Sequence, residues 1–233
     1  MHGMRGSTDP AREPPVIVIG GGGHAGRLIH FLQLLKRQVL FVTDSNPQAR
    51  GTRIEGVEVR GDDEAIFEHP PDVVEIVNGI GSANIPKIRR KVFVRFREEG
   101  YRFASVVHPS AVIASSAMLG EGVQVMAGAV IDHNVVVGNN SLVNTRTSIS
   151  HDCVIGEHVH VASGATVCGN VGLGNMTLVG AGATIIQGVQ VGERALIGAG
   201  SLVLGAVEDG TVVLGVPARP RGDPLTNEKT CDT

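Results

Sequence analysis

From residue 107 onward an aliphatic side chain returns at every sixth position. The series runs Val107, Ile113, Leu119, Val125, Ile131, Val137 and on through Ile197 to Val203, seventeen times without a gap, and Asp209 ends it. The residue two before each of these is Ser, Ala, Thr, Cys or Val in all seventeen cases. Glycine often follows, at Gly120, Gly138, Gly156, Gly174, Gly180, Gly192 and Gly198. In a chain that is 42% hydrophobic, chance does not produce such a run. A fixed short period means a stack of identical units. The fold that suits six is a parallel β-helix of triangular coils. Each hexapeptide forms one short face and one corner. The aliphatic residue and the small residue before it point inward, and glycine is expected to relieve the corner backbone. Three hexapeptides close a coil of 18 residues, so Val107 to Val203 make about five coils. At strand spacings of about 4.8 Å the prism stands roughly 25 Å tall. Hexapeptide coils of this kind wind left-handed, against the usual crossover rule.

Composition agrees with such an interior. Aromatics are only 3% of the chain, with no Trp, while Gly reaches 32 of 233 residues. A net charge of −3 argues against a nucleic-acid surface. No apolar run reaches membrane-spanning length and no signal-peptide pattern opens the chain. Cys153, Cys168 and Cys231 make no disulfide framework, so a reducing cytoplasm is expected. Outward Met126, Val136, Met176 and Ile186 make the prism faces too apolar for three wet sides, and three prisms about a threefold axis would cover them.

Before the repeat the pattern differs. Residues 1–14 read as a tail, 15–106 as an α/β domain, 107–207 as the β-helix and 208–233 as a closing segment and tail. PVIVIG (15–20) is a buried-strand run, and a glycine loop and an amphipathic stretch from His24 to Arg37 follow it. Further strands are expected at Val39–Val42, Asp72–Val77 and Arg102–Val107, with a basic helix from Ile85 to Glu99. Lys87, Arg89, Arg90, Lys91, Arg95 and Arg97 on that helix read as a solvated face. Gly21-x-Gly23-x-x-Gly26, with Asp44 18 residues beyond Gly26, is nominally a dinucleotide fingerprint. At about 90 residues the domain is too small for two mononucleotide halves. A single Rossmann-like half still offers helix N-terminal N–H groups to a phosphate or hydroxyls.

The GGGGHAG loop, the NGIGS turn at Asn78–Ser82, the stretch NTRTSISHDCVIGEHVHVASGATVCGN at Asn144–Asn170 and the closing GVPAR occur together. Together they resemble the PglD/NeuD-type sugar acyltransferases of the left-handed β-helix class. That resemblance implies an acetyl-CoA-dependent N-acetyltransferase acting on a nucleotide-linked 4-amino-4,6-dideoxy sugar. It also implies a homotrimer with sites between neighbouring prisms, and no metal. Sugar O-acetylation of the sialic-acid type on the same scaffold is the alternative. A zinc site like that of the γ-carbonic anhydrases is a further one, raised by His133 and His151 standing 18 residues apart with His158 and His160 nearby.

An amine attacking a thioester needs a base, an aligned donor and stabilisation of the oxyanion. By resemblance His151 is the base and Asp152 its partner. A neighbouring carboxylate holds an imidazole's tautomer. Asp152 is one methylene shorter than the Glu that family members carry, so its contact with the ring has to be observed. By resemblance His160, facing outward, and Gly169, Gly180, Ala181 and Ala199 line the acetyl-CoA groove. Gly22, Gly23 and His24 meet the sugar or its diphosphate, Thr43 and Asp44 the base or ribose, and Gly81 borders that pocket. Cys153, at an inward position, is structural rather than nucleophilic.

Overall fold

The structure is a computed structural model that describes residues 13–82 and 84–221. Two compact units emerge. One comprises the chain up to Gly81 with Lys91–Pro109, and the other comprises Ser82–Arg90 with Ser110 onward. A single boundary at 106/107 therefore misses the short Ser82–Arg90 piece, which belongs with the β-helix.

The first unit is a six-stranded sheet. Its strands are β1 (Val16–Ile19), β2 (Val39–Thr43), β3 (Arg53–Ile54), β4 (Val57–Gly61), β5 (Glu75–Asn78) and β6 (Arg102–Phe103), in the order β3-β4-β2-β1-β5-β6. All neighbours are parallel except the β3–β4 hairpin. The sequence pattern does not announce β3 and β4. They are short, and their turn is Glu55-Gly56, both at positive φ, rather than the Asn-Gly or Asp-Gly that announces a hairpin. Helix α1 (Gly23–Leu34) buries Leu28, Ile29, Phe31 and Leu32 at helical spacing. It ends before the expected Arg37. Helix α2 runs Lys87–Glu98. Every Phe and the single Tyr of the chain precede the repeat, and Phe41, Phe93, Phe96, Tyr101 and Phe103 pack in the core of this unit.

The second unit is the expected β-helix. Strand pairs stack at intervals of 18 residues, as in Val130↔Ser148↔Thr166↔Thr184↔Leu202. From Val125 to Val203 all fourteen repeat aliphatics are buried. Ile113 and Leu119, in end strands with a neighbour on one side only, are half-buried. Inward small residues add a second regularity. Ser141, Thr147 and Thr177 donate hydroxyls to Gly156, Ala162 and Gly192 carbonyls at 2.9, 3.1 and 2.9 Å, and the Cys153 thiol does the same to Cys168 at 3.0 Å. The thiol thus fills a hydroxyl's place in the ladder. Beyond the last coil, Val212–Leu214 adds a parallel strand and Arg219–Pro220 folds back antiparallel on it, which closes the stack.

The glycines that follow the aliphatics serve another purpose than expected. None of them has positive φ. A Cβ on Gly138 would sit 2.6 Å from the Gly156 carbonyl carbon, and one on Gly174 2.5 Å from Glu193 N. They permit close approach between coils. Left-handed backbone occurs two residues later, at every sixth residue from Gly122 to Gly200, where Asn134, Asn140, Asp152, His158 and Asn170 share the slot with glycines. Met126, expected on an apolar outer face, is fully buried.

Candidate active site

The 18-residue stacking that builds the prism also brings two imidazoles together at one corner. His133, His151 and Gly169 fall in one column, tied by Asp152 N to His133 O at 3.1 Å and Asn170 N to His151 O at 2.9 Å. The two imidazoles stack with centroids 5.4 Å apart and planes inclined by 15°. Beneath them Gly169 leaves a hole. A Cβ there would lie 2.7 Å from both Cε1 and Nε2 of His151. The ring occupies the space that the missing side chain provides.

Asp152 is held at φ 58° in the corner slot, and its carboxylate turns back on its neighbour. Asp152 Oδ2 lies 2.9 Å from His151 Nδ1, so the shorter side chain does reach the ring. Asn134, in the preceding coil beside His133, donates Nδ2–H to Asp152 Oδ1 at 3.1 Å. These bonds, from His151 first and Asn134 second, hold the Asp152 carboxyl below the usual carboxylate range. With a carboxylate on Nδ1, a neutral His151 keeps its proton there and presents the Nε2 lone pair. Both side chains are about half exposed, at 41% and 47%. Nothing in the local sequence marks Asn134; its one signal is its position, 18 residues before Asp152.

The other expected groups divide. His160 does not face solvent: it is 6% exposed, and its Nε2 lies 3.2 Å from Asn144 Nδ2. The outward positions on its face, Gln124, Leu142 and Leu178, are buried too. Ala181 and Ala199 lie one coil apart and exposed at the corner that follows the His160 strand. Gly180 stands at the same corner, too close to Ala199 N for any side chain. Gly169 belongs instead to the next corner, under His151. His158 does not join His133 and His151. It is buried at another corner, with Asn140 Nδ2 3.0 Å from its Nδ1. Arg89 likewise leaves the solvated face expected for it. It is fully buried within the second unit, donating Nε–H to Asn140 O at 3.2 Å while Asn140 Nδ2 donates to Arg89 O. Burial pulls its guanidinium down to about 9. Cys153 is buried and its thiol pushed up by that burial, the opposite of what a nucleophile needs.

In the first unit, α1 begins at Gly23 with Gly22 as a cap that has no side chain. Cβ atoms at Gly22 and Gly23 would meet nothing within 4 Å, so the helix N-terminus opens onto free space. Gly81 comes back to this loop, with His24 Cβ 3.3 Å from where its own Cβ would be. Asp44 ties the loop to β2, accepting from Gly21 N at 2.7 Å and from Asn46 N at 2.8 Å. Thr43 is not available to a ligand. It is fully buried, with its hydroxyl donated to Asp63 at 2.6 Å. Asp44 also lines a cleft of about 380 Å³ that includes Arg50, Arg60, Asp62 and Glu64.

This geometry has close relatives. Residues 15–96 match the PglD N-terminal domain, and residues 134–169 match the bacterial transferase hexapeptide. No curated protein matches the chain significantly. Among solved structures, a His-to-Asn mutant of perosamine N-acetyltransferase from Caulobacter crescentus, in complex with CoA and GDP-perosamine, is 34% identical. The match covers 90% of this chain and 97% of that one, with a TM-score of 0.83. The acetyltransferase domain of PglB from Neisseria gonorrhoeae, in complex with acetyl coenzyme A, is 29% identical over 89% of this chain and 98% of that one, at 0.82. WeeI from Acinetobacter baumannii is 25% identical over 90% of this chain and all of that one, at 0.80. Two domain matches in the expected order, and a 34% identical relative covered almost end to end, place the chain in the PglD-type sugar acetyltransferases: it is an acyltransferase of the hexapeptide-repeat class.

Proposed function

We propose that this chain transfers the acetyl group of acetyl-CoA to the amino group of a nucleotide-linked amino sugar of the 4-amino-4,6-dideoxy type, with His151 as the general base. The observation that carries the reading is the His151–Asp152 contact at 2.9 Å above the hole at Gly169. The perosamine N-acetyltransferase relative, solved with CoA and GDP-perosamine, supports the substrate class, and the acetyl-coenzyme-A complex of the PglB domain supports the donor.

In the reaction, His151 Nε2 takes a proton from the sugar amine as its nitrogen attacks the thioester carbonyl. The C–N bond forms and the tetrahedral oxyanion collapses. The C–S bond breaks, and the imidazolium returns its proton to the departing thiolate. No acyl-enzyme is needed. Asp152 supports the positive charge that His151 carries between the two proton transfers. The uncapped N-terminus of α1 at Gly22, Gly23 and His24 suits the acceptor's diphosphate, with Gly81 beside it and Asp44 at the edge of the neighbouring cleft. Gly180, Ala181 and Ala199 form a strip of small residues on which a thin pantetheine arm can lie.

That strip and His151 stand at different corners of one prism, which favours a site completed by a second copy of the chain. Val112, Met118 and Val154, exposed at 63%, 61% and 57%, give such copies an apolar surface to share, and a homotrimer is the expected assembly. No helix among the described residues is long and apolar enough to cross a membrane. The test supplies acetyl-CoA with a panel of GDP-, UDP- and dTDP-linked amino sugars and follows free thiol. Turnover with one nucleotide class is expected, falling away at low pH as the amine becomes protonated. Coenzyme A release without regard to any amino sugar would overturn the reading.

A further inference from the structure

The same corner has a second chemical capacity. His133, His151 and Asp152 each place one donor atom such that the three lie within 4.8 Å of one another. Donors sharing a tetrahedral metal at about 2.1 Å stand about 3.4 Å apart. Closing that gap needs a shift of roughly an ångström. His133 and His151 are 56% and 41% exposed, so their rings can turn by that much. The backbone beneath is fixed by the coil-to-coil bond from Asp152 N to His133 O. Asp132, 3.0 Å from His133 Nδ1, brings a second carboxylate. Two neutral imidazoles and two carboxylates match the charge of a divalent cation, and nitrogen donors favour Zn²⁺, Cu²⁺, Ni²⁺ and Co²⁺ over Mg²⁺ or Ca²⁺.

The geometry points to a reversible binding site for a divalent transition metal at His133, His151 and Asp152, whose occupancy shuts down the transferase. The shutdown rests on the assignment of His151 as base. It does not depend on which ring nitrogen the metal takes. A metal on Nε2 removes the lone pair that accepts the amine proton. A metal on Nδ1 displaces the proton held there, and the neutral ring then carries its proton on Nε2. In both cases the base is lost while the coenzyme and sugar surfaces remain. The ion is a regulator or a poison of the reaction, not a participant in it.

The test uses the purified, tag-free full chain and Co²⁺ as the spectroscopic probe. Wild type is expected to develop visible d–d absorption that saturates on titration and is bleached by Zn²⁺ or a chelator. His133→Ala, which changes an exposed ring, and Asp152→Asn should each weaken Co²⁺ binding at least tenfold. In parallel, Zn²⁺ should inhibit acetyl transfer by the wild type, with full recovery on chelation. His133→Ala should require at least tenfold more Zn²⁺ for the same fractional inhibition. No saturable absorption, or equal Co²⁺ affinity in His133→Ala, would overturn the site. Saturated metal with undiminished turnover would overturn the shutdown. Failure of the base assignment shows separately, as His151→Ala turning over normally with no metal added.

Discussion

Two neighbouring corners of the prism each carry an imidazole next to a carboxylate, in opposite order. At one, His151 precedes Asp152, and Asp152 takes the left-handed slot at φ 58°. At the next, Glu157 precedes His158, and His158 takes it at φ 57°. The backbone is the same, yet the chemistry diverges. The first carboxylate touches its imidazole at 2.9 Å, with both half exposed. The second pair stands 4.0 Å apart, and its imidazole, 7% exposed, is buried with Asn140 while Arg89 bonds that same Asn140. Burial first, and the Arg90 and Arg89 charges after it, pull His158 down to about 4 against the opposing pull of Glu157. A histidine in this fold stays solvent-facing or becomes a buried packing group according to what covers its corner. The turn itself does not decide.

The buried corner offers the largest effect with which to break this contrast. An unfolded imidazole takes its proton near 6.5, but the folded His158 does so only near 4. Between those values the unfolded chain binds more protons. The stability that His158 contributes should therefore fall as pH drops from about 6.5 to 4 and level off below, by an amount on the order of 3 kcal/mol. His158→Asn keeps a residue that tolerates the left-handed slot and should flatten this slope. Urea midpoints at about pH 7.5 and pH 5, for both proteins, measure it. An equal slope in the variant would place the titrating group elsewhere.

At the exposed corner the contrast sharpens through the floor. Gly169→Ala places a methyl where the His151 ring lies, and the ring must move. Displacement of about 1 Å from the reacting geometry is worth roughly a hundredfold in rate. That loss is expected in kcat with the melting temperature nearly unchanged, because a half-exposed ring can swing aside. An active Gly169→Ala would mean that the ring works from another position. A smaller effect belongs to Asn134. Asn134→Gly keeps the left-handed backbone and deletes the donor to Asp152 Oδ1. A partly exposed bond to a charged group is worth about 1 kcal/mol, hence about fivefold in kcat with KM held. A change in KM alone would assign Asn134 to binding instead.

Much of this was legible before any coordinates. The period of six fixes which side chain faces inward. It also fixes that residues 18 apart share a column, so the stacking of His133 on His151 follows from counting. Three things were hidden, each for a physical reason. The glycines at 120, 138 and 156 have ordinary φ and answer to the coil that follows, a constraint that acts between coils and leaves no mark along the chain. His160 and Arg89 are buried although their local patterns are those of exposed residues, because cover comes from tertiary packing. Thr43 looks like a ligand residue at the end of β2, but it is fully buried with its hydroxyl donated to Asp63, and a separation of 20 residues conceals that partner.

The central claim is that His151 removes the acceptor's proton. The direct measurement is single-turnover thiol release by wild type and His151→Ala, each saturated with acetyl-CoA and the amino-sugar nucleotide found by the panel. General-base catalysis contributes about a hundred- to ten-thousandfold. His151→Ala should lose that much with both ligands still bound at wild-type affinity. Release at the wild-type rate by His151→Ala would contradict it.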